Sequence, residues 1–157
     1  MTATNKQAIL QAILLVEDND DDAELTRMAF EEAQITNPLI RATEGGEALD
    51  YLFGRGIYAG RDVDEIPALI LLDLKMTGMG GIDTLIAIRQ DERTKHIPVV
   101  ILTSSDQESD RLAAYDHHAN SYVQKSVDYD RFVMTSRQLG LYWTELNRPA
   151  PRRRVSA

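Results

Sequence analysis

Cysteine is absent from the 157-residue chain. That excludes a disulfide framework, an iron–sulfur site and thiol chemistry. No apolar stretch approaches the length of a membrane span. The first residues, MTATNKQAILQA, lack the basic segment, apolar core and small-residue cleavage site of a secretory signal. Thr2 stands where myristoylation needs glycine. The expectation is a cytoplasmic protein with no membrane partner. Positive charge is also scarce: the formal net charge is −8 and the pI about 4.8. A negative surface repels phosphate backbones and argues against a nucleic-acid partner. The exception is the end PAPRRRVSA, where Arg152, Arg153 and Arg154 follow two prolines. It reads as a solvated basic tail over 147–157, matching a flexible start over 1–10. Histidine is sparse, and His117 and His118, being adjacent, point apart on a helix; neither they nor His96 form a metal pair.

What the chain does contain is alternation. Short apolar runs at 12–16 (AILLV), 38–42, 68–72, 98–102 and 121–123 recur between stretches with apolar residues at helical spacing. The first helix is expected to start at Asp21, capped by Asp21 or Asp20, with Asp22 and Glu24 favoured by its positive end. Gly45 and Gly46 precede the second helix, Gly81 opens the third, Asp106 to His117 form the fourth, and Asp128 to Leu146 the fifth. Gly54 to Pro67 reads as a long loop without a regular element. Near-continuous Val, Ile and Leu in the strands mean a parallel sheet covered on both faces. With right-handed crossovers this is an α/β, doubly wound, five-stranded parallel sheet of order 2-1-3-4-5, flavodoxin-like, in one domain over 11–146.

Ligands of such sheets sit outside the carboxyl ends of the strands, here between strands one and three. Strand one ends in Glu17-Asp18, strand three in Asp73, strand four in Thr103-Ser104 and strand five in Lys125. Singly, each has an ordinary explanation: a helix-terminal charge, a strand-end hydroxyl, a solvated lysine. Jointly they put three carboxylates, a hydroxyl and an amine on one rim. At about 4 Å and an effective dielectric near 20, each carboxylate pair costs on the order of 4 kcal/mol. An all-oxygen set asks for a hard cation, Mg²⁺ before Mn²⁺ or Ca²⁺. A carboxylate held beside a metal and a lysine is also a plausible nucleophile toward phosphorus.

These residues resemble a known family. LLVEDN, LILLDLKM, GMGG, PVVILTS and SYVQK are similar to the response-regulator receiver domain of two-component signalling, over nearly the whole chain. The resemblance implies that Asp73 is the phosphoacceptor, charged by a sensor histidine kinase. It implies that Asp18 binds Mg²⁺ directly, Glu17 through water, and the backbone carbonyl of Lys75 as a further ligand. Thr103 would bond the phosphoryl group, Lys125 pair with it, and Tyr122 act as the aromatic switch. The surface of the fourth helix, fifth strand and fifth helix would then change on phosphorylation. The long 54–67 loop, the ILTSS and VQKS strand endings and LYWTEL narrow the likeness to the stand-alone receivers that serve phytochrome kinases.

The chain departs from the family pattern at three places. Ser126 follows Lys125 where proline is usual, so a trans bond is expected there. Thr77 replaces a common proline and Gly80 a common aspartate. Gly78, Gly80 and Gly81 are expected to leave that loop unusually free. Only 147–157 follow the last helix, too few for an output domain, so signalling is expected through protein contacts, including a downstream phosphotransfer protein. The fifth helix shows Tyr129, Phe132, Val133, Ser136, Leu139, Gly140 and Trp143 on one face. Met134, Leu141 and Tyr142 fall elsewhere, more apolar surface than one core face needs, which suggests a homodimer. The expectation is a signalling protein rather than an enzyme. One alternative is a phosphatase of the haloacid dehalogenase type, but Lys75 stands where its proton-donating acid belongs. Another is a constitutive interaction module that never accepts phosphate.

Overall fold

The apolar runs pair side by side because each can bury both of its faces. A computed structural model describes residues 10–151. The Arg152–Arg154 run and most of the expected flexible start lie outside the described residues, and 147–151 carry no regular structure. The strands are β1 (Ile13–Val16), β2 (Leu39–Ala42), β3 (Leu69–Leu72), β4 (Val99–Thr103) and β5 (Ser121–Gln124). They alternate with α1 (Asp20–Glu32), α2 (Gly45–Phe53), α3 (Gly81–Gln90), α4 (Glu108–Asp116) and α5 (Tyr129–Leu141). All neighbours are parallel, in the order β2-β1-β3-β4-β5. This is the expected doubly wound sheet. No helix among the described residues is long and apolar enough to cross a membrane.

Strand side chains alternate between faces, and the core divides accordingly. Leu14, Val16, Ile70, Leu72, Val99 and Ile101 point to one side, with Leu49 and Leu52 of α2 and Leu85 and Ile88 of α3. Ile13, Leu15, Leu69, Leu71 and Val100 point to the other, against Ala23 and Phe30 of α1 and Leu139 and Trp143 beyond them. Burying each large aliphatic side chain contributes roughly 1.5–3 kcal/mol, so β1, β3 and β4 are fixed and their ends are well-defined places. α4 is attached more lightly: Ala114 is its one buried residue.

Local details differ from the sequence expectations. Asn19, not Asp20 or Asp21, caps α1, its Oδ1 accepting the Asp22 N–H at 2.9 Å. α4 starts two residues later than expected. α5 ends at Leu141 and continues as a π-helical turn over Tyr142–Leu146. There the Thr144 hydroxyl donates to the Gly140 carbonyl at 2.7 Å, competing with the backbone ladder. Tyr129, expected on the covered face of that helix, is exposed, as are Met134 and Tyr142. The 54–67 segment holds a short 3₁₀ turn at Gly56–Tyr58. Arg61 ties it down, donating to the carbonyls of Tyr51, Asp62 and Glu65 while its guanidinium lies 4.0 Å from the Tyr51 ring centroid.

Two glycines of the loop after β3 lie close to their neighbours. A methyl group at Gly81 would lie 2.7 Å from the Leu74 Cα and would collide with the Asp73 carbonyl. Gly78 takes φ +74° and lies against the Glu44 carboxylate. These two glycines permit close approach of the acceptor loop to its neighbours.

Candidate functional site

β1 and β3 lie side by side with Val16 opposite Leu72, so the residues that follow each strand emerge together. The Asp73 N–H donates to the Val16 carbonyl at 3.1 Å, which extends that pairing to the acceptor itself. Asp73 is buried, 5% exposed, and Glu17 beside it is 3% exposed. Glu17, Asp18 and Asp73 each offer a carboxylate oxygen within 4.8 Å of the others. Asp18 is half-buried and accepts the Thr77 N–H at 3.3 Å. Glu17 accepts the Asn19 N–H at 3.2 Å, and its carbonyl receives Arg41 Nε at 3.0 Å. Asp73 Oδ1 accepts the Lys75 N–H at 3.1 Å.

Lys125 closes the group. Its backbone N–H donates to the Thr103 carbonyl at 2.7 Å, which aims the side chain across the rim. Its Nζ lies 2.9 Å from Asp73 Oδ2, 2.5 Å from Glu17 Oε1 and 2.9 Å from Asp22 Oδ2. Burial works against the ammonium, but the hydrogen bonds it donates to Glu17, Asp22 and Asp73 outweigh it and hold the Lys125 pKa above its ordinary value. Burial pushes the Glu17 carboxyl up, to about 7, against the lowering pull of Lys125. The Lys125–Ser126 bond is trans, as expected.

Thr103 is fully buried at the end of β4, its Oγ1 accepting the Ser105 N–H at 3.4 Å. Tyr122 is half-buried, packed against the larger core cluster, and its hydroxyl donates to the Ser105 carbonyl at 3.0 Å. The Lys75 ammonium reaches the other way, to Asp110 Oδ2 on α4 at 3.1 Å. Ser105 Oγ donates to the same carboxylate at 2.5 Å. So the structure brings Glu17, Asp18, Asp73 and Lys125 into one contact group, with Thr103 and Tyr122 joined to it through the backbone of the β4–α4 loop. Three participants went unnoticed in the sequence: Asp22 as a partner of Lys125, and Asp110 and Ser105 as partners of Lys75 and Tyr122.

Residues 13–136 match the family model described as the response regulator receiver domain. The chain belongs to the receiver domain family. This receiver is 38% identical over 141 residues to the probable methanogenesis regulatory protein FilR2 of Methanothrix harundinacea, covering 88% of each chain. It is 34% identical over 135 residues to the response regulator Rcp1 of Synechocystis, covering 86% of this chain and 90% of Rcp1. Among solved structures, the Mn²⁺-bound form of Rcp1 superposes with a TM-score of 0.82 at 33% identity, over 90% of this chain and 99% of that one. The phosphorylated cyanobacterial phytochrome response regulator RcpA superposes with a TM-score of 0.83 at 32% identity, over the same shares. The likeness to the phytochrome-associated receivers thus extends from sequence to fold.

The donor set fits a hard divalent cation. Three carboxylates converge, nitrogen and sulfur ligands are absent from the group, and Lys125, the one cation paired with these carboxylates among the described residues, leaves it net negative. Lys75, which stands where a haloacid dehalogenase has its proton-donating acid, pairs with Asp110.

Proposed function

We propose that this protein is a response regulator that accepts a phosphoryl group on Asp73 from a sensor histidine kinase. The observation that carries the reading is a buried carboxylate at the end of a central strand, 2.9 Å from a buried ammonium and flanked by two further acids. An Asp73 carboxylate oxygen attacks phosphorus of the kinase phosphohistidine. The P–N bond breaks, and its electron pair stays on the imidazole nitrogen, which takes a proton from water. Glu17, Asp18, Asp73 and the Lys75 carbonyl would hold Mg²⁺, which when bound supplies neutralisation of charge on the acids and the phosphoryl oxygens. Lys125 stabilises the added charge, roughly −1.5 to −2. The Thr103 hydroxyl turns toward the new acceptor oxygens.

Output follows from the same contacts. Thr103, at the end of β4, accepts the Ser105 N–H of the β4–α4 loop, and the Ser105 carbonyl holds the Tyr122 hydroxyl. A pull on Thr103 therefore displaces Tyr122 and α4, a population shift of the α4–β5–α5 surface. That surface exposes Leu112, Tyr115, Tyr129 and Met134, with Tyr142 beyond them, which supports a homodimer interface and a site for a downstream phosphotransfer protein. By likeness to the cyanobacterial phytochrome response regulator RcpA, the kinase is of the phytochrome type.

Intact-protein mass after incubation with Mg²⁺ and acetyl phosphate tests the chemistry. One added phosphoryl group, absent in Asp73→Asn and in EDTA, is expected. Failure to label with both acetyl phosphate and a cognate kinase overturns the reading and favours a constitutive module. Sedimentation across a concentration series checks the dimer, which a strictly monomeric protein with and without phosphate refutes.

A further inference from the structure

We infer that Asp22 is a positioning residue for Lys125, and that it takes over the ammonium when a divalent cation occupies Glu17, Asp18 and Asp73. The inference rests on the receiver reading above. Lys125 has three ammonium hydrogens and three carboxylate partners. Two of those partners, Glu17 and Asp73, belong to the candidate cation set. Lysine and cation therefore compete for the same oxygens.

The lysine cannot simply withdraw. Its side chain is 8% exposed, and a buried ammonium stripped of partners is strongly unfavourable. Asp22 is the acceptor left over. It stands outside the cation set on the first turn of α1, its backbone N–H held by Asn19 and its carbonyl by the Thr26 hydroxyl, both at 2.9 Å. Its carboxylate is more open than the other two, at 30% exposed, and it keeps its contact with the ammonium while Glu17 and Asp73 are engaged elsewhere. It also lies on the lysine, where its charge offsets repulsion between ammonium and cation.

The test is a double-mutant cycle on Mg²⁺ affinity by titration calorimetry, using the heat that Asp18→Asn removes. Asp22→Asn is expected to weaken binding about tenfold. In a Lys125→Met background the same change is expected to cost less than about twofold, because no ammonium remains to be placed. Asp22→Glu is expected to restore most of the affinity, and Asp22→Ser to repeat the loss should the asparagine variant fold poorly. In the wild type, the Lys125 ammonium resonance is expected to shift on Mg²⁺ addition. Equal losses in both backgrounds would mean that Asp22 acts only through its charge, and would overturn the inference while leaving the receiver reading intact. No loss in Asp22→Asn would do the same. Absence of site-specific Mg²⁺ binding in the wild type would overturn both.

Discussion

Gly81 shows how little space the acceptor has. Alanine there would press a methyl group onto the Asp73 carbonyl and the Leu74 Cα, and backbone atoms yield poorly. Gly81→Ala is expected to destabilise the fold by about 1–3 kcal/mol, read as a lowered urea midpoint, and to slow labelling of Asp73 at matched folded concentration. Residues such as Asp73, Asp18 and Thr103 were legible because each lies at the end of an apolar run, and a buried strand has a fixed end. Asp22 was not. It is one of three consecutive acids on a helix, and periodicity does not say which of them turns toward a lysine over a hundred positions away. The structure divides them: Asp20 pairs with Arg41, and Asp22 with Lys125. The close contacts of Gly78 and Gly81 were hidden for a related reason, since a glycine's neighbour is not readable from its place in the chain.

At the scale of elements, the five strands and the starts of the five helices fall within a residue or two of their expected places, because binary pattern is a property of the local chain, while α5 gives way to a π-helical turn before its expected end. Their ends and connections obey other terms. Asn19 wins the cap of α1 although two aspartates stand beside it. The 54–67 loop is organised by Arg61, whose bond to the Tyr51 carbonyl no turn pattern announces. Arg61→Ala is expected to cost roughly 1–2 kcal/mol of stability, about the net worth of its hydrogen bonds. It should also open the loop to proteolysis and leave Mg²⁺ affinity unchanged. Limited digestion followed by mass spectrometry would locate the cut; a loop as resistant as in the wild type would mean that Arg61 is not its anchor.

Across the whole molecule, anchorage is uneven. α3 buries Gly81, Thr84, Leu85 and Ile88, whereas α4 buries Ala114 alone, and β5 is the sheet's edge with no fully buried residue. Backbone amides of α4 are therefore expected to exchange with solvent faster than those of α3, by hydrogen exchange followed by mass spectrometry, with the difference changing on phosphorylation. The Lys75–Asp110 pair is one of the few ties across that gap, and it begins two residues beyond the acceptor. The sparse burial of α4 has a consequence for how such proteins diversify. Glu108, Ser109, Arg111, Leu112 and Tyr115 face outward and carry almost none of the core. Their identities can drift, or be rewritten by design, with little cost to the sheet or to Asp73. Choice of partner and choice of chemistry are thereby separable characters of a single small chain.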